Sequence, residues 1–386
     1  MNNKKIKILH LASFLGNIGD YANHAGFYKK FKENIFNNVE FNQIEIRKFY
    51  RMYAEMKFDD RFAEMVNQYD LLVLGGGGFF DLKWAYSSSG TTIDFSKQLI
   101  HKIKVPVLVN GMGYHEFGVI DEDNVNKFRS FLETTIDNNN WFISVRNDGS
   151  FSRLHNRYGN VVDRILKIPD HGSFFCPKEY NRLGLEDNDK TWIGMCITND
   201  LFNEKFNKDV SIDDFNDLIG QFINHILAET NNAGIILFPH THQDLTTIGI
   251  LMEKIKDQFR RTRLAVAPFY SGGGEAVDYI FDLYRVCSCV IGMRFHSNLC
   301  SIGMNVPTIG LAGHEQISSL YDELGLAKRC VKINSKQFVE ELLYKLDNSL
   351  NNFDEIKQNY AKLNVGLNDQ ANLYYKKLNK WLSTKY

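Results

Sequence analysis

A cation and an imidazole lie two residues apart in the segment 292–304, and this spacing is the strongest chemical signal in the sequence. Arg294 and His296 follow a short apolar run, 287–291, and a second apolar run begins at Val306. Two strands joined by a helix-length segment form a parallel crossover, so Arg294 and His296 are predicted at the carboxyl end of a strand, where a helix begins. Ligands of open α/β sheets bind at that edge, and a helix start offers unpaired N–H groups to an anion. The pair therefore predicts an anionic substrate and proton transfer, with capping or packing as the structural alternative.

Strand-like runs in the N-terminal half also end in glycine or in charge. They end at Gly16-Asn17-Ile18-Gly19-Asp20, at the four glycines 75–78, at Gly111-Met112-Gly113 and at Arg146-Asn147-Asp148. Glycine lets another group approach the backbone closely, whereas the alternatives are tight turns and an Arg146–Asp148 pair that pins its own turn. The loops lack the dinucleotide fingerprint and the P-loop lysine, so neither nucleotide cofactor is predicted. With helical segments between them, the strands predict a doubly wound parallel sheet.

A second series of strands and helices begins after the polar stretch 181–190, which is predicted to be a linker. One of its strands, 235–238, ends in Pro239-His240-Thr241-His242-Gln243-Asp244. His240 and His242 have the spacing of residues on one strand face, which is a weak signal for a metal site. The polar loop around them, and the lack of a third His or Cys nearby, make substrate hydrogen bonding the better prediction. No metal site is predicted.

The composition is that of a globular chain long enough for two domains. The sequence has 386 residues, of which 44% are hydrophobic and 24% charged,. Its formal net charge of −1, from 45 basic and 46 acidic residues, argues against a nucleic-acid binder, which needs a basic surplus. Six scattered cysteines without a Cys-x-x-Cys pair predict reduced thiols in a cytoplasmic protein. Residues 1–5 lead directly into a strand, so no secretory leader is predicted, and no apolar run reaches the roughly 20 residues of a membrane helix.

Taken in order, these motifs resemble those of the polysaccharide pyruvyl transferase family. The resemblance covers most of the chain and rests on the segments 16–20, 75–78, 111–113, 144–148, 239–240 and 292–296. It implies an α/β fold like that of GT-B glycosyltransferases, in which two Rossmann-like domains with parallel sheets face each other across a cleft. The implied parts are an N-terminal, acceptor-side domain (1–180), a C-terminal, donor-side domain (191–350) and C-terminal helices (351–386) that pack back across both.

The resemblance also implies a reaction. Family members transfer the pyruvyl group of phosphoenolpyruvate to a sugar diol, with a pyruvate ketal and phosphate as products. For this chain the implied acceptor is a bacterial-type surface polysaccharide or its lipid-linked oligosaccharide precursor, and no cofactor is implied. His296 is the implied general acid/base, with His240 as a second candidate, and Arg294 and Arg146 face the phosphate and the carboxylate in an order left open. The predicted site residues are catalytic His296, Arg294 and Asp20, and substrate-binding Arg146, Asp148, Gly16, Asn17, Gly76, Gly77, His240, His242, Ser297, His314 and Glu315.

Two other functions fit the same motifs. A GT-B glycosyltransferase with a nucleotide-sugar donor would hold its diphosphate at the same helix start, and an inactive sugar-binding homologue would keep the fold. Family members often carry an aromatic residue, an Asp and a Lys after the last strand. Here the corresponding residues, 311–316, read Leu-Ala-Gly-His-Glu-Gln, without that cation.

The C-terminal segment is predicted to be helical from Asn359 onward. Lys376, Lys377 and Lys380 lie beside Tyr and Trp residues in it. A basic aromatic helix either makes a weak peripheral contact with an acidic membrane or packs against its own protein, and packing is the favoured prediction. The predicted location is the cytoplasm, and the alternative with a membrane contact would place the protein at the inner face of the membrane.

Overall fold

The computed structural model describes residues 5–50, 54–116, 120–182, 185, 190–200, 210–333 and 336–385. The chain divides into two compact units, here called unit 1 (1–14, 27–171 and 367–386) and unit 2 (15–26 and 172–366). The glycine loop after the first strand thus belongs to unit 2, and the end of the last helix belongs to unit 1. Compactness does not test which segments fold independently, so the domain division at 180, 191 and 351 stays a prediction. Most of the predicted linker, 181–190, lies outside the described residues.

Unit 1 is built on a six-stranded parallel sheet with the spatial order β2-β1-β3-β5-β7-β8. Its strands are β1 (Ile6–Ala12), β2 (Val39–Glu45), β3 (Leu71–Gly75), β5 (Val107–Met112), β7 (Trp141–Arg146) and β8 (Leu166–Ile168), and β4 (Phe80–Asp81) pairs with β6 (Tyr114–His115) in a separate short sheet. The sequence of β3 is apolar throughout and every residue of it is buried, as expected of a strand covered on both faces. Its helices are α2 (Asp60–Val66), α3 (Lys97–Lys102), α4 (Glu122–Ile136) and α5 (Ser150–Tyr158).

Unit 2 contains a second six-stranded parallel sheet, with the order β11-β10-β9-β12-β13-β14. The strands are β9 (Thr191–Cys196), β10 (Ala233–Leu237), β11 (Leu264–Val266), β12 (Cys287–Gly292), β13 (Thr308–Ala312) and β14 (Cys330–Lys332). Numbered within the unit, this is the order 3-2-1-4-5-6 of a Rossmann fold, and its switch point lies between β9 and β12. Its helices are α6 (Ile212–Glu229), α7 (His242–Lys254), α8 (Asp257–Thr262), α9 (Glu275–Leu283), α10 (Phe295–Gly303), α11 (Glu315–Glu323) and α12 (Phe338–Asn351).

Two helices have one end in each unit. Helix α1 (Ile18–Asn34) begins in unit 2 and ends in unit 1, and α13 (Phe353–Leu382) does the same. Short 3-10 turns at Ile46–Phe49, Gly159–Val162, His171–Phe174, Tyr284–Val286 and Ala327–Arg329 complete the described secondary structure. Among the described residues, no helix combines the length and the hydropathy that crossing a bilayer would require.

Each unit has its own hydrophobic core, built from strand residues and the helix faces that cover them. In unit 1, Leu72 and Val109 of the sheet are fully buried together with Phe128 of α4. In unit 2, Phe215 and Ile219 of α6 lie on one side of the sheet, and the α9 residues Val277 and Phe281 belong to a separate cluster that also contains Ile18 and Ala22 of α1. Apolar residues at helical spacing pack in this way because one stripe of each helix must leave water. The predicted α/β class with doubly wound parallel sheets is confirmed.

The last helix packs through buried hydroxyl groups in unit 1. The Tyr374 hydroxyl lies 3.0 Å from Ser144 Oγ and donates to Asn110 Oδ1 at 3.2 Å. Tyr375 meets His171 Nε2 at 2.8 Å, and Trp381 donates its indole N–H to the Asn139 carbonyl at 2.9 Å. The aromatic side of the basic helix therefore faces the unit's interior, as the favoured packing prediction requires.

Candidate active site

The switch point of the unit 2 sheet brings three strand ends together, and Arg294 lies at their centre. It is the N-cap residue of α10, with an extended backbone (φ −87°, ψ 143°). Asn298 holds this turn, because its side-chain amide donates to the carbonyls of Gly292 and Arg294 at 2.9 Å each. Gly292 is needed there, since a Cβ would come within 2.6 Å of Ser297 Oγ. Ser297 in turn donates its hydroxyl to the Arg294 carbonyl at 2.8 Å, so its observed contact is with the turn.

The Arg294 guanidinium is bound by acceptors from two other strand ends. It donates through Nη2 and Nε to Asp244, at 2.6 and 3.3 Å, and through Nη1 to Asp200 at 2.9 Å. The hydroxyls of Thr198 and Thr241 accept from Nη2 at 3.0 and 2.9 Å. Burial alone would lower the pKa of Arg294, but Asp244 and then Asp200 raise it overall. Arg294 is therefore a fully charged group whose charge is matched by two carboxylates.

Asp244 is the most buried carboxylate in this arrangement. It has no exposed surface, and its Oδ2 accepts the backbone N–H groups of His240 and Thr241 at 2.9 and 3.0 Å. The bond from Thr241 belongs to the capping box of α7,. Burial would raise the pKa of Asp244, but the neighbouring Arg294 holds it below its usual range. Within the described ranges, no group of three His, Cys, Asp or Glu side chains is placed to hold a metal ion.

His296 lies one residue into α10 and packs against the glycine loop 16–20. It is 5% exposed. A Cβ at Gly19 would lie 2.5 Å from His296 Nδ1 and 2.7 Å from its Cβ, so only glycine allows this approach. Since Asp20 is the next residue, in the first turn of α1, the predicted catalytic residues Asp20, Arg294 and His296 belong to adjoining loops of one unit.

Backbone hydrogen bonds fix the glycine loop to its neighbours within unit 2. Gly16 donates its N–H to the Ser271 carbonyl at 2.7 Å, and Ile18 donates to the His240 carbonyl at 3.1 Å. Asn17 stays within the loop, where its side-chain oxygen accepts the Gly19 N–H at 3.0 Å. Backbone bonds therefore bring together the segments that carry the predicted residues Gly16, Asn17 and His240. Bonds of this kind do not depend on side-chain identity.

His240 is buried and electrically neutral over the physiological range. Its Nε2 lies 2.8 Å from the Tyr284 hydroxyl, and the residue is 1% exposed. Burial is the largest cause of a low pKa at His240. Together with the nearby charges of Arg294 and His296, and against the opposing effect of Asp244, it lowers the pKa of His240 to about 3. An imidazole with this pKa cannot carry a proton to a substrate near neutral pH.

The remaining predicted residues of unit 2 lie at helix starts. His242, exposed, is the first residue of α7. His314 is the N-cap of α11, and its Nδ1 accepts the Gln316 N–H at 3.3 Å. Glu315 is exposed in the first turn of the same helix. A carboxylate at such a position is favoured by the helix dipole.

Unit 1 contains a second polar group, centred on Arg146 at the end of β7. Arg146 donates through Nε to Asp148 at 2.7 Å and through Nη1 to Asp170 at 3.4 Å. Its Nη2 lies 3.4 Å from His115 Nε2, and Asp148 also accepts from the Ser150 hydroxyl. Burial would raise the pKa of Asp148, but Arg146, His115 and Ser150 hold it below its usual range. The Arg146–Asp148 pair named as the structural alternative is thus present, and it is part of a larger network.

The glycine-rich loops of unit 1 pack against this network. A Cβ at Gly78 would come within 2.8 Å of the His115 ring, and one at Gly113 within 2.8 Å of Arg146 Nη2. Gly76 donates its N–H to the Asn110 carbonyl at 3.1 Å, and Gly77 accepts from the Gly113 N–H at 2.9 Å. The predicted close approach at the glycines is therefore made, at least in part, by side chains of the protein itself.

Sequence reasoning missed four residues that complete these two groups. His115 and Asp170 belong to the Arg146 network, and Asp200 and Thr198 bind Arg294. Each follows a strand within a few residues, which is the signal that could have found them. Strand β8, which precedes Asp170, has three residues and was too short to predict.

Two Rossmann-like units with polar groups at the carboxyl ends of parallel strands define a GT-B-like α/β protein. Solved structures agree on the fold. A UDP-GlcNAc 2-epimerase from Neisseria meningitidis bound to UDP-GlcNAc is 11% identical, with a TM-score of 0.54, over 97% of this chain and 100% of that chain. An α,α-trehalose 6-phosphate synthase from Burkholderia multivorans is 9% identical, with a TM-score of 0.54, over 99% and 100%. At these identities the similarity concerns the fold alone.

The family is shown by sequence. The family model "Polysaccharide pyruvyl transferase" matches residues 17–315, which is well over half of the chain. The chain belongs to the polysaccharide pyruvyl transferase family, as its motifs predicted. No curated protein sequence gives a significant match. The match begins within the glycine loop and ends at Glu315, so it includes the groups around Arg146, Arg294 and His296.

Replacing Gly19 tests the contact between the glycine loop and His296. We expect Gly19→Ala to destabilise the fold by about 1–3 kcal/mol, because the added methyl group must displace either α1 or the imidazole. The matched control is Gly249→Ala in α7, where a Cβ would meet nothing within 4 Å. That control should be neutral or stabilising, since alanine favours a helix by up to about 1 kcal/mol. Urea denaturation of both variants gives the comparison, and equal stability of the two would contradict the packing described.

The buried neutral state of His240 predicts a pH dependence of stability. In the unfolded chain His240 titrates near its ordinary pKa of 6.5, whereas in the folded protein its pKa is about 3. As the pH falls between these values, only the unfolded state gains the proton, so stability is lost. By pH 5 the loss is on the order of 2 kcal/mol.

The variant His240→Gln should therefore lose less stability than wild type between pH 7 and pH 5. His242→Gln, at an exposed imidazole two residues away, is the control and should keep the wild-type slope. Denaturant unfolding at a series of pH values measures both slopes. A wild-type slope in His240→Gln would show that His240 titrates normally in the folded state.

Proposed function

We propose that this protein transfers the pyruvyl group of phosphoenolpyruvate to a sugar diol of a surface polysaccharide or of its lipid-linked precursor. The products are a cyclic pyruvate ketal and phosphate. The observation that supports this function best is the placement of His296 and Arg294 at the start of α10, at the switch point of the unit 2 sheet, within the region that matches the family. That edge is where α/β folds bind ligands.

His296 is the proposed proton donor. Protonation of the methylene carbon of phosphoenolpyruvate creates a methyl group and a positively polarised C2. One sugar hydroxyl adds to C2, and the second displaces the phosphate, so that C2 ends with two bonds to sugar oxygens. Of the two hydroxyl protons, one returns to His296 and the other leaves with the phosphate, which balances the reaction. The pKa of His240, about 3, argues against that residue in this role.

Asp20 and Arg294 are assigned supporting roles. Asp20, in the first turn of α1, is proposed to accept a hydrogen bond from a sugar hydroxyl and so orient it. Arg294 is proposed to place the α10 start, and thereby His296, because its charge is bound by Asp244 and Asp200. The family resemblance also predicts that Arg294, and Arg146 in unit 1, contact the phosphate and the carboxylate of the donor. Both contacts stay predictions.

A donor panel tests the proposed function. Phosphoenolpyruvate should raise the melting temperature, because a ligand that binds only the folded state stabilises it by mass action. Phosphate should also be released in the presence of an acceptor glycan. Nucleotide sugars at the same millimolar concentration should give neither effect. A shift with a nucleotide sugar but none with phosphoenolpyruvate would replace this proposal with the glycosyltransferase function.

Phosphate release in the presence of an acceptor glycan also tests whether His296 is the proton donor. His296→Ala should lower turnover about 10²-fold or more, measured at a temperature at which its melting curve shows that the variant is folded. His101→Ala, at an exposed imidazole of α3, controls for the loss of a histidine elsewhere. Near-normal turnover in His296→Ala would remove His296 from the mechanism.

We also propose a peripheral contact with the inner face of the membrane, where a lipid-linked acceptor would lie. Lys376, Lys377 and Lys380 are exposed on the side of α13 opposite its buried tyrosines. Asn379 donates to the Asn34 carbonyl at 3.4 Å, and this contact joins the lysine-bearing end of α13 to the end of α1. Clustered lysines attract anionic lipid. The six cysteines are all free thiols, which fits the proposed cytoplasmic location.

Charge reversal tests this contact. The triple variant Lys376→Glu, Lys377→Glu, Lys380→Glu should bind vesicles containing phosphatidylglycerol on the order of 10²-fold more weakly than wild type, at about 1 kcal/mol per lysine. The control reverses the exposed residues Lys57, Lys97 and Lys104 of the same unit. Binding should fall with added salt and be absent on phosphatidylcholine vesicles. Equal binding of the two triple variants would refute the contact.

A further inference from the structure

Two large apolar side chains are exposed next to the glycine loop of unit 2. Leu15 is 55% exposed and immediately precedes Gly16, and Tyr270 is 47% exposed in the loop between β11 and α9. The backbone segments that carry them are close, because Gly16, which follows Leu15, donates its N–H to the carbonyl of Ser271, which follows Tyr270, at 2.7 Å. Both residues belong to unit 2.

The loop that carries Tyr270 is held against the rest of the unit by close contacts. A Cβ at Gly273 would lie 2.6 Å from the ring of Tyr21, in the second turn of the same helix that begins at the glycine loop. A Cβ at Gly272 would lie 2.8 Å from Tyr270 itself, so the phenol ring covers its own loop. These contacts order the Tyr270 ring before a ligand binds. A side chain that is already ordered loses less conformational entropy on binding.

Leu15 adjoins the residues assigned to the reaction. The loop 16–20 that follows Leu15 packs against His296 through Gly19 and carries Asp20. A substrate group that rests on Leu15 and Tyr270 would therefore extend along the same loop toward the group that moves the proton.

The side-chain chemistry of Leu15 and Tyr270 indicates which kind of ligand group could pack on them. A pyranose ring has a face of C–H groups and an edge of hydroxyls. The C–H face packs on an aromatic ring or an aliphatic side chain, and the hydroxyls keep their contact with water. Tyrosine suits this use because it combines a broad apolar face with a polar tip. Phosphoenolpyruvate, small and anionic, gains nothing from such a surface.

We propose that Leu15 and Tyr270 form a platform for a pyranose ring of the acceptor. The proposal rests on the proposed function, since it assumes a sugar acceptor, and it adds the residues that bind that sugar. The platform selects the acceptor's ring face, whereas Asp20 orients its hydroxyl.

Binding of simple sugars, measured without the donor, tests the platform separately from the reaction. The probes are methyl glucoside, methyl galactoside and methyl mannoside, observed by saturation-transfer NMR on the full chain. We expect transfer to the C–H protons of one ring face with wild type and with Tyr270→Phe, which keeps the ring. We expect transfer to be lost in Tyr270→Ala and reduced in Leu15→Ala.

Kinetics with an acceptor glycan give the second readout. In Tyr270→Ala the acceptor KM should rise about tenfold, while the KM for phosphoenolpyruvate and its melting-temperature shift stay at the wild-type values. The matched control is Tyr344→Ala in α12, where the tyrosine is 72% exposed in the same unit. Melting curves of the variants should coincide, because each removed side chain is at a surface.

The two proposals fail in different ways. If sugars bind wild type and Tyr270→Ala equally, the platform is wrong whatever the donor is. If Tyr270→Ala instead weakens uridine monophosphate, added as a separate probe, the ring stacks a nucleotide base and the platform is overturned. If phosphoenolpyruvate gives no shift but sugars bind through Tyr270, the donor assignment fails and the platform stands.

Discussion

The ion pair between Arg294 and Asp244 is the interaction on which the described part of unit 2 depends. It joins the ends of two strands, because Arg294 follows β12 and Asp244 lies in the first turn of the helix after β10. Asp200, after β9, adds a third strand end through its own bond to Arg294. Removing one partner of a buried pair leaves an uncompensated charge, which costs several kcal/mol. The pair therefore fixes the three loops relative to one another more firmly than hydrogen bonds between neutral groups would.

Two glycines allow close contacts around this ion pair. At Gly19 the absent side chain lets α1 contact His296, and at Gly292 it admits Ser297 and Asn298 to the turn before α10. A Cβ at Gly19 would lie 2.5 Å from His296, and one at Gly292 would lie 2.6 Å from Ser297, so neither contact tolerates a larger residue. Sheet order brings the strand ends together, the ion pair links their loops, and glycine sets how closely the loops lie.

The sequence predicted the parts of the fold that depend on local periodicity. The amphipathic spacing of residues 212–229 predicts a helix over those residues, and α6 has these bounds (Ile212–Glu229), with Ser211 as its N-cap. The three-residue strands β8 and β14 carry too little pattern and were not predicted. Family motifs led to Arg294, His296 and the loop 16–20. They could not show that Asp200 and Asp244 bind Arg294, or that His115 and Asp170 accompany Arg146. Those partners come from different strands, and their approach is a consequence of sheet order.

The two arginines share a property that bears on the proposed reaction. Each faces two carboxylates, Asp244 and Asp200 for Arg294, and Asp148 and Asp170 for Arg146. These carboxylates offset the charge of each arginine, so an added anion gains less from it than it would from an arginine without such partners. The observed role of both arginines is therefore to hold strand ends and loops in place, and Arg294 does so two residues before His296, at the start of α10. The contacts of Arg294 thus bear on the proposed reaction through the position that they give to the proposed proton donor.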